Sequence, residues 1–465
     1  MLSSSGSKKR AAVIAALVVV ALAVRAGFFK YETGDYAIFH SWYEFIKQHG
    51  GFGALRYNFA NYNEPYLYLL ALVSYTPLSP LVGIKLISVA FDLLLGFFAY
   101  RTVRLRYAEG WAPTVSAAAV LFLPTVVLNS SLWGQIDASY TSLALGGVYF
   151  VLKRRGWAAG IFFGLAVAFK LQAIFLAPLV LLLVLRRRLR WRELLAAPAA
   201  FVVMDLPALL IGASVSTLWS TYAGEVSLYH QLTLNAPNIY QYLDFNQSPL
   251  LRDLGTALTA AVIVCLIAWA LHRQVELSAT SVVLTATVSV LLVPFLLPAM
   301  HERYFYLADV FTVISAFYLP RRLWALPVLE QFASLFSYMP FLLATTTTAS
   351  STAGATGRPA LTGRGPSPQV PPGSSPQSSA GLAPNDGGQL GHGTALVPHG
   401  IDAITSHAVV SFKILSTAML AALLLALWAG ARELRAPRRP VARHPDVLAM
   451  MTALPARRQV GDQAG

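Results

Sequence analysis

Two carboxylates, Asp35 and Glu64, bracket a polar, aromatic stretch that follows the first apolar run and closes with Asn61-Tyr62-Asn63-Glu64-Pro65. Ionised groups beside a bilayer are costly unless they are paired or have work to do. Asp35 stands among Tyr36, His40, Trp42 and Tyr43, where a carboxylate is placed for chemistry. A plain interfacial belt of acids and aromatics has the same composition, so this stretch alone does not separate the two readings. Further polar groups interrupt apolar sequence at Trp133-Gly134-Gln135-Ile136-Asp137, at Lys170-Leu171-Gln172 and at Met300-His301-Glu302-Arg303. An acid beside Lys, His and Arg in an apolar-walled cavity suits either transport or the transfer of a group from a phosphate-bearing lipid.

Composition decides the setting in which these groups must be positioned. The 465 residues are 56% hydrophobic and only 12% charged, with a mean hydropathy of +0.57, far from the roughly 25% charge of soluble domains. The expected fold is an all-α polytopic membrane protein. The net charge of +14 does not call for nucleic acid, because the basic residues form short clusters between apolar runs, as cytoplasmic loops do. The lone cysteine, Cys265, lies inside an apolar run and excludes an internal disulfide.

Charge parity then orders the helices. The run 11–29 follows Lys8-Lys9-Arg10 and reads as an uncleaved first helix leading outward, into a first external loop over 30–81. Within that loop the apolar segment 66–75 stops before Pro77 and Pro80 and is too short to span. Runs 82–100, 112–128 and 140–152 alternate so that Arg101, Arg104, Arg106 and Lys153-Arg154-Arg155 lie inside and 131–137 outside. The stretch 157–185 has basic clusters at both ends, which predicts two short helices meeting near Lys170-Leu171-Gln172 rather than one long one. Runs 194–211, 250–271, 277–298, 308–319 and 323–344 follow, with a long loop over 214–249. A catalytic domain over 1–344 is followed by a disordered external linker over 345–406, rich in Ser, Thr, Gly and Pro. A last helix over 407–431 and a basic cytoplasmic tail over 432–465 complete a chain of roughly eleven or twelve passes. Both termini are then cytoplasmic, and Asp35, Glu64, Asp137, Lys170, Gln172, His301, Glu302 and Arg303 all fall at external helix ends.

Asp35 after the first helix, Trp-Gly-Gln-Ile-Asp before the fourth, Lys-Leu-Gln-Ala in the middle and Met-His-Glu-Arg-Tyr-Phe-Tyr late in the chain together resemble the GT-C membrane glycosyltransferases. Within them the chain is similar to prokaryotic proteins related to the second GPI-anchor mannosyltransferase, and more distantly to dolichyl-phosphate-glucose-dependent glucosyltransferases. The likeness covers about residues 10 to 320. It implies a GT-C-like bundle, a polyprenyl-phosphate-linked monosaccharide as donor, mannose favoured, and a glycan or glycolipid acceptor. It further implies an active site facing outside the cell membrane and inverting transfer with no obligatory metal and no cofactor.

On this resemblance Asp35 is the general base that takes the proton of an acceptor hydroxyl. Lys170, Gln172, His301 and Arg303 hold the donor phosphate, Arg being able to fork two oxygens. Trp133, Gln135, Asp137 and Glu302 meet sugar hydroxyls, and Glu64 orients the acceptor. Tyr36 stands where protein O-mannosyltransferases usually carry the Glu of an Asp-Glu pair, which weakens a protein acceptor. A secondary transporter is the main alternative, yet the chain has no clear internal repeat of the kind those folds carry. A lipid-linked glycan flippase or ligase shares the phosphate site but has no evident need of Asp35.

Overall fold

The computed structural model describes residues 2–227, 229–353 and 408–435, and they form an almost wholly helical membrane protein. Helix α1 (Leu2–Ala26) leads into α2 (Gly34–Gln48), a 3-10 turn over Gly51–Arg56 and α3 (Glu64–Ser74). The eleven residues of α3 give about 16 Å of helix, half of a bilayer core, as the prolines after it predict. Then come α4 (Pro80–Arg104), α5 (Ala112–Leu121), α6 (Pro124–Val127) and α7 (Asp137–Leu152). Ser79 caps α4 by accepting from the Val82 N–H, and Pro80 occupies the first turn, where no N–H is needed. The axis bends by 50° between α5 and the segment from Pro124, because proline cannot donate to the helical ladder.

Helices α8 (Gly156–Phe169) and α9 (Ala177–Leu185) are separated by an extended Lys170 (φ −160°, ψ 133°) and a 3-10 turn over Leu171–Leu176. The pair of short helices predicted around Lys170 is therefore present, and the single long helix is not. The chain continues through α10 (Trp191–Leu194), α11 (Ala196–Ile211), α12 (Val215–Ser227) and α13 (Pro249–His272). Helix α12 lies in what was read as loop: its Ser and Thr content hides an apolar stripe that buries Leu218 and part of Tyr222. The remainder is α14 (Ala279–Leu296), α15 (Tyr306–Tyr318), α16 (Pro320–Leu323), α17 (Leu326–Ala353) and α18 (Phe412–Arg435). Helix α17 runs nine residues past the boundary expected at 344. The rest of the expected linker, 354–406, and the tail beyond Arg435 lie outside the described residues.

Among the described residues five helices are long and apolar enough to cross a membrane, or six with the bent pair, and 156–169, 171–185 and 306–318 are shorter apolar helices. That is fewer full-length spans than the apolar runs suggest, because prolines and charged breaks divide several runs into half-length pieces. The helices pack closely where glycine allows it: a Cβ on Gly164 of α8 would lie 2.2 Å from the Ala197 carbonyl of α11.

A buried ion pair ties the first helix to the rest. Arg25 Nε meets Asp92 Oδ2 at 2.7 Å, Ser130 Oγ donates to the same oxygen at 2.6 Å, and Arg25 Nη2 reaches the Leu121 carbonyl at 2.9 Å. Both charged side chains are almost fully buried, a situation tolerable only when the partners are hydrogen-bonded as here. Arg25 and Asp92 thereby fix α1 and α4 against the bend after α5, from which the central polar segment emerges.

Candidate active site

Asp35 sits in the first turn of α2, where helix N–H dipoles favour a carboxylate. The chain that delivers it is tied down twice. Lys85 Nζ, on a side chain only 1% exposed, donates to the carbonyls of Phe28 at 3.0 Å and Tyr31 at 2.5 Å. Thr33 Oγ1 donates to the Trp133 carbonyl at 2.9 Å. Beyond Trp133, a π-helical turn over Leu128–Trp133 ends at Gly134, whose φ of +80° only glycine adopts without cost. That turn swings Gln135 toward α2: Gln135 Nε2 donates to Asp35 Oδ2, and Tyr62 OH donates to Gln135 Oε1 at 3.3 Å. Asp35 is half-buried and has no ion pair among the described residues.

Two residues further on, Asp137 is in the opposite condition. It begins α7 but caps nothing, and it is completely buried. Its carboxylate accepts from Asn129 Nδ2 at 2.7 Å and from Lys170 Nζ at 2.6 Å, with Arg303 Nε 3.9 Å away. Arg303 Nη1 in turn donates to Glu302 Oε1 at 2.7 Å, and His301 Nδ1 lies 3.5 Å from Glu302 Oε2. Asp137 and Glu302 thus offset the charges of Lys170 and Arg303. Aromatic rings complete the wall, with Lys170 Nζ 5.7 Å from the Tyr62 ring centre and the Arg303 guanidinium 5.6 Å from that of Trp133.

A short parallel pairing holds the late segment in place. Strand β1 (Thr233–Leu234) pairs with β2 (Met300–His301), and the Glu302 N–H donates to the Leu234 carbonyl at 3.1 Å. Ser337 of α17 donates to the Glu302 carbonyl at 3.1 Å. Burial lowers the pKa of His301 more than Glu302 raises it, which favours a neutral imidazole. Burial would raise the Glu302 pKa, but Arg303 and His301 outweigh it and hold the carboxyl below its ordinary value. Burial likewise opposes the charge on Arg303, yet Glu302, Asp35 and Asp137 hold its pKa above the usual arginine value.

Asp35, Trp133, Gln135, Asp137, Lys170, His301, Glu302 and Arg303 are therefore brought together from four separate stretches of the chain. Glu64 and Gln172 are not in this ion-pair network. Glu64 is buried with Oε2 unpartnered, and its pKa is raised to about 8 by burial and, secondarily, by Asp205. Gln172 is buried with Oε1 unpartnered. Reading charges only at helix ends overlooked Lys85, Arg25, Asp92 and Asp205. The signal was available, since each is an ionisable residue inside or at the edge of an apolar run.

Among the described residues, no group of three or more His, Cys, Asp or Glu is arranged to hold a metal ion. Two apolar cavities, of about 350 Å³ beside α9, α13, α14 and α18 and about 530 Å³ beside α8, α9 and α11, touch neither Asp35 nor Arg303. No curated protein matches the chain. The model of glycosyltransferase family 87 matches residues 62–298, just over half of the 465 residues. That span takes in Tyr62, Gln135, Asp137 and Lys170, the frame around Asp35, and leaves Asp35 and Arg303 on either side of it. With so much of the frame inside the match, the chain belongs to glycosyltransferase family 87.

Proposed function

We propose that this multi-pass membrane glycosyltransferase moves a hexose, mannose favoured, from a polyprenyl-phosphate donor to an extracytoplasmic glycan or glycolipid hydroxyl, with inversion. The observation that carries the reading is the contrast at the site: a half-buried Asp35 held by one amide, beside a cluster whose charges are already matched. Asp35 takes the acceptor proton as the hydroxyl oxygen bonds to the anomeric carbon. The bond from that carbon to the phosphate oxygen breaks, and its electron pair leaves with the lipid phosphate. Asp35 then returns the proton to solvent.

Charge grows on the leaving phosphate, so preorganised donors there lower the barrier. Arg303 spends Nη1 on Glu302 while its Nε makes no hydrogen bond among the described residues, which leaves guanidinium donors for a phosphate. Lys170, His301 and Gln172 stand with it as donor-phosphate contacts. Asp137 and Glu302 hold Lys170 and Arg303 in register, and Trp133 and Gln135 line the sugar side with them. Glu64 faces the acceptor.

The test is incubation of the purified protein in lipid nanodiscs with labelled polyprenyl-phosphate mannose or polyprenyl-phosphate glucose. The expected result is release of sugar from the donor, faster for mannose, with the anomeric configuration inverted in the product. Donor that stays intact while the lipid itself crosses the bilayer would favour a flippase instead.

A further inference from the structure

A second polar cluster begins at Glu64, two residues after Tyr62, and the phosphate chemistry makes no use of it. Glu64 and Tyr68 lie one helical turn apart on α3, so they share a face. The Tyr68 hydroxyl is inserted into the ladder of α11, donating to the Met204 carbonyl at 2.8 Å and accepting from the Ala208 N–H at 3.2 Å. Pro207 already removes one donor there. These two contacts bracket Asp205, a buried carboxylate in an apolar helix that interacts with Glu64. Tyr222 of α12 closes the arrangement, its hydroxyl 3.5 Å from Asp205 Oδ1 and 3.4 Å from the Ala168 carbonyl, two residues before Lys170.

A carboxyl pair this deeply buried needs partners, and Asp205 and Glu64 have no ion pair among the described residues. The Glu64 side chain is 9% exposed, and its Oε2 makes no hydrogen bond. Beside it, Asn63 is 2% exposed and both of its side-chain polar atoms are unpartnered. Buried polar atoms without a partner are rare in folded proteins and call for an explanation, and a ligand hydroxyl supplies one here.

We propose that Asp205, with Glu64 and Tyr222, forms the seat for a neutral, polyhydroxylated acceptor sugar. This rests on the transferase reading. One carboxylate, a protonated carboxyl and a phenol without a cation disfavour a phosphate or carboxylate ligand and suit sugar hydroxyls. With its pKa near 8, Glu64 is largely protonated at neutral pH and donates while Asp205 accepts, a pairing that fits two adjacent hydroxyls. Asp205 is a specificity residue in this scheme and takes no part in proton transfer.

The test uses the full chain in nanodiscs, labelled polyprenyl-phosphate mannose as donor, and octyl α-mannoside as surrogate acceptor in competition with water. Asp205→Asn and Tyr222→Phe are compared with the parent. The expected result is an octyl mannoside KM raised about tenfold or more in Asp205→Asn, and a matching fall in the ratio of glycoside formed to free mannose released. Tyr222→Phe moves both in the same direction by less, and it decides the matter if Asp205→Asn does not insert. An acceptor KM within about twofold of the parent in every variant that inserts, while Asp35→Asn has lost transfer, overturns the acceptor seat and leaves the transferase reading standing. A parent protein that moves no label from either donor overturns both.

Discussion

Asp35 and Asp137 are two carboxylates served by one segment, and they are treated in opposite ways. Asp137 is fully buried and held by Asn129 and Lys170, with Arg303 close by. Asp35 is half-buried and receives one amide from Gln135. A carboxylate enclosed by cations is stable as an anion and a poor proton acceptor. Asp35 keeps a solvent-facing side and takes its hydrogen bond from a neutral amide, which leaves room for an acceptor hydroxyl to approach. On the proposed mechanism the difference separates a residue that holds the cluster together from one free to react, although the two acids look alike in the sequence.

The largest expected effect comes from removing the proposed base. Asp35→Asn keeps shape and hydrogen bonding but cannot take the proton, and turnover should fall by a factor on the order of 100 to 10,000, read as the initial rate of label transfer. Asp137→Asn acts on the other member. It leaves Lys170 buried against an amide and should cost about 3–5 kcal/mol of stability, seen as a lower Tm in detergent. The double variant Asp137→Asn with Lys170→Met restores part of that loss; a double variant no more stable than the single would show that the pair is not held by charge matching.

Glu64 sharpens the comparison as a third carboxyl, buried with no cation partner among the described residues. Its folded pKa of about 8 lies above the ordinary 4.5, so between those values the folded chain keeps a proton that the unfolded chain releases. Stability contributed at Glu64 is therefore full at low pH, falls as pH rises from about 4.5 toward about 8, and is level above that. Glu64→Gln should flatten this part of a Tm-against-pH curve, and an unchanged slope would assign the dependence elsewhere. The smallest effect is expected at the turn. Gly134→Ala meets only ordinary contacts, the nearest 3.8 Å away, so its cost is backbone strain at φ +80°, about 1 kcal/mol, with a modest drop in rate as Gln135 shifts.

Much of this was legible from residue order. Prolines after 66–75 announced a helix too short to span. Basic clusters at both ends of 157–185 announced the break at Lys170. Charges that interrupt apolar runs pointed to the residues that gather around Asp35. Partnership was not legible at long range: Lys170 meets Asp137 across 33 residues. Spacing along a chain carries no information on which distant carboxylate a lysine will find. Asp205 and Lys85 were passed over because apolar runs were read for length and not for the rare ionisable residue within them. Helix α12 and the pairing of Leu234 with His301 escaped because a polar, aromatic stretch shows neither period clearly.

The central claim is that Asp35 acts on the acceptor proton and Arg303 on the donor phosphate. It is tested most directly by measuring the affinity for a non-hydrolysable polyprenyl-phosphate sugar beside turnover in Asp35→Asn and Arg303→Ala. The account predicts donor affinity close to parental in Asp35→Asn with turnover lost, and both weakened in Arg303→Ala, because the phosphate contact exists in the ground state and the transition state alike. Near-parental turnover in a correctly inserted Asp35→Asn protein would contradict it.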